Sequence, residues 1–300
     1  MKIQEAHSPM WHMYFQLTRL HKFPVGSILI FWPCVWSLTM VAFEVNMNAS
    51  TYLFQVVLFG IGSTLLHSAA CVINDICDRD IDGQVERTRN RPLVTNAIPL
   101  IGAYILLSVL TASSIIMLFF TNTMAILYGL FAVFPLHALY PLMKRWTWWP
   151  QAWLGFAMNW GIFVAWISVT GESPPSHITI FFFGTVCWTI VYDTIYACQD
   201  KTDDAKVGVK STALLFGSHV RPILLFFAVS FLACMSYAGI CNNQGLPFFL
   251  VSCGGAAVHF LWQFTTWEVD NPNDSGAKFV ANGNMGYIVW AGLLIDYLRN

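Results

Sequence analysis

Apolar residues make up 56% of this 300-residue chain and charged residues only 10%, against about 25% charged in an ordinary soluble domain. So few charges cannot clothe a water-soluble surface, which excludes the soluble, disordered and collagen-like classes. A net charge of −1 excludes a nucleic-acid binder working through a basic stripe, and with a mean hydropathy of +0.57 the chain reads as a polytopic membrane protein.

In chain order, residues 1–24 predict an interfacial segment. They lack the apolar core and cleavage site of a signal peptide and the Arg/Ser richness of a transit peptide, while the Met/Trp/Tyr/Phe-rich stretch 10–17, followed by Arg19 and Lys22, suits a helix lying on the membrane. Nine apolar runs of spanning length follow, at 25–43, 51–73, 98–120, 123–143, 152–169, 177–197, 222–241, 246–264 and 283–298. The last is short and carries Asp296. The longest stretches between spans, 74–97 and 198–221, leave no room for a soluble domain. The expected fold is therefore all-α, one membrane bundle of about nine helices over residues 1–300. The runs are continuous rather than alternating, which argues against a β-barrel. The eight cysteines fall mostly in apolar stretches without CxxC spacing and read as lipid-core thiols.

Charge sets the sidedness. Fourteen of the 15 Lys and Arg lie in the N-terminal segment and the loops after the second, fourth, sixth and eighth spans, leaving only Arg299 on the other face. By the positive-inside rule the N-terminus is cytoplasmic, or on the matrix side in a mitochondrion.

Nine of the 16 carboxylates, Glu86 included, crowd into two stretches on that same face. The first contains Asp75, Asp78 and Asp82; if the second span continues as a helix, Asn74, Asp78 and Asp82 recur at i, i+4 and i+8 and form a column of oxygen ligands, with Asp75 one turn above Asp78. The second places Asp193, Asp200 and Asp204 at i, i+7 and i+11, with Asp203 beside them. Stacked like charges repel, and hard divalent cations are the natural compensation. Mg²⁺ in particular takes one or two carboxylates plus substrate phosphates. Arg87, Arg89, Arg91, Lys144, Arg145, Lys201, Lys206 and Lys210 in the same loops suit an anionic, metal-bound ligand, and a diphosphate fits that description. Three other matches fail. Residues 78–83 open like an EF-hand loop, but its twelfth position falls on Arg89. The segment from Gly208 to Thr212 lacks the upstream glycine of a Walker A motif. Asn48-Ala-Ser50 is a glycosylation sequon in a loop too short to use it.

The stretch NDICDRDID (74–82), followed by Arg87-Thr-Arg-Asn-Arg91-Pro-Leu93, resembles the first aspartate motif of the UbiA-type membrane prenyltransferases. YDTIYACQDKTDD (192–204), with VGVKSTALLFG (207–217), resembles the second. The segment Arg19 to Gly26, Trp32-Pro33 with Trp36, and Tyr140-Pro141 with Lys144-Arg145 are similar to further motifs of the 4-hydroxybenzoate polyprenyltransferase branch. That branch usually has Asp where His21 stands here, and Phe23 looks inserted before Pro24.

The resemblance implies transfer of a prenyl group from an allylic diphosphate to an acceptor, in a cavity near the cytoplasmic face and open to lipid. Mg²⁺ would be held by Asn74, Asp75, Asp78, Asp82, Asp200 and Asp204, and the diphosphate by Arg87, Arg91, Lys144 and Lys201. Asp193 is the candidate catalytic base or phenol-orienting group, and Arg19 the candidate cation for an acceptor carboxylate, since an Arg fork grips an acid bidentately. The His21 departure favours an orsellinic or other polyketide-type phenolic acid receiving a farnesyl-length chain in an endoplasmic-reticulum or other endomembrane, as in meroterpenoid pathways. The alternatives are a 4-hydroxybenzoate polyprenyltransferase of quinone synthesis in the mitochondrial inner membrane and, from another class, a cation transporter or channel using the Asp columns as an ion site. The near-absence of ionisable residues at midplane depth disfavours the last.

Overall fold

The computed structural model describes residues 9–300; the expected interfacial segment thus lies partly outside the described residues, at 1–8. Among the described residues eight helices are long and apolar enough to cross a membrane: Ser27–Glu44, Ala49–Cys77, Leu100–Leu118, Thr123–Trp146, Pro150–Thr170, Ser176–Ala197, Thr212–Cys241 and Phe248–Thr266. The ninth expected span is the C-terminal part of Pro272–Arg299, a helix long enough to span but more polar. Its charges are satisfied locally. Lys278 Nζ donates to Thr266 Oγ1 (2.6 Å) and lies 4.1 Å over the Trp262 ring, and Asp296 Oδ2 accepts the Gly245 N–H (2.7 Å). Among the described residues there is no β-strand, in keeping with the expected all-α bundle.

The first span is the hub. Its helix survives Pro33 and buries Trp32 and Trp36 completely. The two indoles stack on each other, and Trp36 continues to Trp188 of the sixth span (5.1 Å between centroids), which stacks on Phe231 of the seventh. Trp32 Nε1 donates to the Gly283 carbonyl (2.7 Å) and Trp36 Nε1 to that of Gly286 (3.2 Å), which ties the last helix to the first. Only glycine allows this approach, because a Cβ at position 286 would lie 2.0 Å from Trp32 Nε1.

The alternation of ends is visible in contacts. At one end the N-terminal segment, the loop after the second span and those after the fourth and sixth meet through Arg19–Asp75, Lys144–Asp78, Arg87–Asp200 and the Lys210 N–H on the Lys144 carbonyl. At the other end Ser168 bonds Gln55, and Tyr297 donates to the Met47 carbonyl. The short helix Met10–Leu17 packs on the charged end, with Leu17 buried against Val72, Leu93, Ile98 and Ala103.

Candidate active site

The two acidic clusters lie at one mouth but are not straight columns. The second span ends at Cys77, Asp78 caps it, and a separate turn, Arg79–Asp82, carries Asp82. The sixth span ends at Ala197, and Asp200 and Asp204 belong to the next short helix, Lys201–Val207. In the first cluster i→i+4 backbone bonds still link Asn74 to Asp78 and Asp78 to Asp82 (2.8 Å each), so the expected spacing survives one non-helical residue, whereas in the second the helix is interrupted over residues 198–200. Each span ends where consecutive carboxylates approach the mouth, so that loop cations can reach them from the side.

Those cations hold the site together. Arg87, from the loop after the second span, forks onto Asp200 beyond the sixth, with Nε 2.9 Å from Oδ1 and Nη2 on Oδ2, and its Nη1 donates to the Tyr196 hydroxyl (2.8 Å). The Glu86 N–H donates to Asp203. The same loop thus clasps both clusters. Lys144 Nζ donates to Asp78 Oδ2 (3.2 Å), while Arg145 donates to the Cys77 carbonyl (2.7 Å). Arg91 bonds both Asp75 (2.9 Å) and Asp82. Among the described residues Lys201 and Asp204 enter no ion pair.

Two of the expected site residues pair with each other. Arg19 Nη2 donates to both oxygens of Asp75 (2.7 and 2.9 Å), its Nη1 reaches the Gln16 carbonyl, and Arg91 adds a further bond to Asp75, which is 1% exposed. Both carboxylate oxygens of Asp75 and much of the Arg19 fork are already engaged. In this arrangement Asp75, the expected metal ligand, and Arg19, the expected acceptor clamp, form an ion pair that fastens the N-terminal segment to the second span.

Among the described residues no three His, Cys, Asp or Glu side chains converge as a ready metal cluster. The donors nonetheless suit a hard cation. Asn74 Oδ1 and Asp78 Oδ1, one helical turn apart, are buried without hydrogen-bond partners, and unpaired buried oxygens of this kind are what a cation in the mouth would satisfy. Burial, reinforced by repulsion from Asp200, pushes the Asp204 carboxyl up to about 6. Burial also raises Asp82, with Arg91 opposing. Burial alone would lower the Arg87 value, but Tyr196 and Asp200 outweigh it and hold the guanidinium firmly charged.

Deeper in, the Asp193 carboxylate has no hydrogen-bond partner among the described residues and lies within electrostatic reach of Lys144 and Arg87. Tyr140 lies within reach of Asp193, Asp78, Tyr196 and Cys71. Tyr196 is a member that the sequence reading passed over. Its position three residues after Asp193 and four before Asp200, on the face carrying both, was the available signal.

Residues 30–286 match the UbiA prenyltransferase family. The chain belongs to that family. The UbiA prenyltransferase claS of Ampulloclitocybe clavipes is 46% identical over 95% of this chain and 90% of its own length. The mitochondrial 4-hydroxybenzoate polyprenyltransferases of Drosophila melanogaster and Homo sapiens are 39% and 37% identical, each over 95% of this chain and over 71% and 75% of their own lengths. Among solved structures, a UbiA homolog from Aeropyrum pernix K1 superposes with a TM-score of 0.75 at 21% identity (89% of this chain, 97% of that one). One from Archaeoglobus fulgidus, bound to GPP and Mg²⁺, superposes with a TM-score of 0.65 at 16% identity (92% and 99%). At such identities the likeness establishes the fold: this UbiA member is an all-α membrane bundle. Its membership makes it a prenyltransferase and sets the ion-carrier reading aside.

Proposed function

We propose that this UbiA member transfers a farnesyl-length prenyl group from an allylic diphosphate to a ring carbon of an orsellinic or other polyketide-type phenolic acid, with Mg²⁺ as cofactor. The observation that carries the reading is the mouth itself, where buried Asn74 Oδ1 and Asp78 Oδ1 lack hydrogen-bond partners while Arg87, Arg91 and Lys144, from the loop after the second span and the end of the fourth, pair with Asp200, Asp82 and Asp78. Asn74, Asp78, Asp82, Asp200 and Asp204 would hold Mg²⁺, and Arg87, Arg91, Lys144 and Lys201 would bind diphosphate oxygens. Bound Mg²⁺ supplies neutralisation of the charge that builds on the leaving group.

The chain's own residues do the rest. Heterolysis of the allylic C–O bond leaves its electron pair on the diphosphate, where the Arg87, Arg91 and Lys144 donors stabilise it in a water-poor site. The ring carbon attacks the allylic cation to form the new C–C bond, and the proton displaced from that carbon leaves to a base. Asp193, without a partner and deeper than the diphosphate cations, is placed to take it or to orient the phenol.

For the acceptor, support comes from higher identity to a relative whose name carries no 4-hydroxybenzoate (46%) than to those whose names do (36–40%), together with His21. The second reading, 4-hydroxybenzoate prenylation in the mitochondrial inner membrane, is favoured by the number of such relatives. Microsomes containing the protein, given a panel of phenolic acids and prenyl diphosphates, should yield a farnesylated orsellinic-type product by mass. Exclusive prenylation of 4-hydroxybenzoate would establish the second reading instead.

The charge asymmetry supports a mouth and an N-terminus on the cytoplasmic side, and with the favoured acceptor class the membrane proposed is an endomembrane. On a background without the native cysteines, single Cys residues at 84 and 206 should label from that side and one at 48 from the other. Labelling of 84 and 206 from opposite faces would overturn the topology.

A further inference from the structure

The fourth span contains one wide turn, Ala132–His137, built around Pro135. Proline lacks the N–H that an α-helical turn needs, and wide turns of this kind gather at functional sites. His137 ends the turn. Its Nδ1 lies 2.9 Å from the Ala132 carbonyl oxygen, so Nδ1 carries the proton and donates, leaving Nε2 as a lone-pair acceptor. That Nε2 is buried without a partner among the described residues. An unpaired acceptor in a low-dielectric interior is costly and calls for an occupant.

The surroundings show what kind. His137, Tyr140 and Lys144 stand at i, i+3 and i+7, one helix face, and Lys144 turns that face toward the second span by bonding Asp78. His67, Cys71, Asp75 and Asp78 form the opposing face. His137 thus lies about 10 Å below Lys144 along the helix, at the inner end of a polar column whose outer end is the diphosphate mouth. Its neighbour in reach, His67, is already partnered, with Nδ1 3.3 Å from Ser27 Oγ and Nε2 3.6 Å from Cys71 Sγ. His177 and His259 also have an unpaired Nε2, but His177 begins the sixth span at the far end and His259 lines an outer groove with Leu250, Val258 and Trp262. Of the three described histidines with an unpaired Nε2, His137 is the one that stands on this column.

We propose that His137 Nε2 accepts a hydrogen bond from a phenolic hydroxyl of the acceptor and so selects which ring carbon faces the allylic cation. This role rests on the aromatic-acceptor reading above. His137→Asn keeps an amide N–H near the Nδ1 position, able to serve Ala132, but has nothing at Nε2; His137→Gln carries an oxygen out to the Nε2 region. The Asn variant should show an acceptor KM raised about tenfold, a mixture of ring-position isomers and an unchanged KM for farnesyl diphosphate, and the Gln variant should restore most of the acceptor KM. The wild type should show a comparable KM penalty for the acceptor's methyl ether at that hydroxyl, a measurement that needs no variant to fold. Equal acceptor KM values for wild type, Asn and Gln, or an unpenalised ether, would overturn the role while leaving the acceptor class intact. Joint loss of Tm and of both KM values in Asn and Gln alike would make His137 a packing residue and overturn it too. A wild type that consumes the diphosphate but prenylates no phenolic acid would sink the acceptor reading itself, and this role with it.

Discussion

Asp78→Ala and Asp204→Ala are each expected to lower kcat/KM on the order of a hundredfold or more, with the fold retained. Each change removes oxygens from the proposed cation site, which carries much of the stabilisation of the leaving diphosphate. Neither removes a keystone of the bundle. Asp78 has one oxygen without a hydrogen-bond partner, 3.9 Å from the exposed Arg145, and the other on the part-exposed Lys144, and both cations can turn to solvent when the carboxylate goes. Asp204 belongs to a short helix at the mouth and enters no ion pair among the described residues. Circular dichroism and Tm in detergent should match wild type. Asp203→Ala is the control, since Asp203 is half-buried, pairs with the exposed Lys206 and accepts one long bond from the Glu86 N–H, contacts that contribute little. Retention of more than a tenth of wild-type activity by either active-site variant at saturating Mg²⁺ would refute the cation assignment.

A pH dependence accompanies this result. The Asp204 carboxyl is raised to about 6, so below that pH it keeps its proton in the metal-free protein, and a cation must displace it. The Mg²⁺ concentration for half-maximal rate should therefore climb by up to about tenfold per pH unit as pH falls below 6 and level off above 7. In Asp204→Ala that slope should flatten.

The spans were legible because hydropathy is a property of composition, and lipid demands it of every crossing segment. Their ends were less so. The second span was read to 73 but runs to Cys77, because Asn74 and Asp75 look like loop residues until their partners are known. Asp296 likewise weakens the ninth span on paper, while in the fold it accepts the Gly245 N–H from the turn before the eighth span. The two aspartate motifs were legible as chemistry, and their placement at one mouth followed from charge alternation. What period and spacing could not disclose was the pairing. Helical phasing assumes an unbroken helix, and the sixth span is interrupted between Asp193 and Asp200, the first carboxylates of its motif. That Asp75 belongs to Arg19 is a contact between residues 56 positions apart. Similarly, the unpaired ring nitrogen of His137 depends on which nitrogen Ala132 occupies, which a lone histidine in an apolar run does not reveal.

Asp75→Ala is expected to behave unlike its neighbour at 78, by failing to fold rather than failing to react. Asp75 is 1% exposed and accepts three guanidinium bonds, two from Arg19 and one from Arg91. Both arginines are themselves largely sequestered, with side chains 18% exposed. Removing the shared carboxylate strands two desolvated cations side by side, and breaking a buried pair in this way costs about 3–5 kcal/mol. That is a large fraction of the roughly 5–15 kcal/mol by which a typical fold is stable. Arg91 keeps Asp82, but Arg19 keeps only the backbone carbonyls of Gln16 and Leu17, so the helix Met10–Leu17 should come away from Val72 and Leu93 first. The measurable signs are a steep fall in extractable, monodisperse protein and early proteolysis near residues 18–26 in whatever survives. Asp75→Asn should soften the loss, because the amide oxygen still accepts one of the three bonds. Arg19→Ala should be milder than Asp75→Ala, since it leaves the Asp75 carboxylate paired with Arg91. Were Asp75 a ligand of the cation site instead, Asp75→Ala would express and melt like wild type and lose activity as Asp78→Ala does.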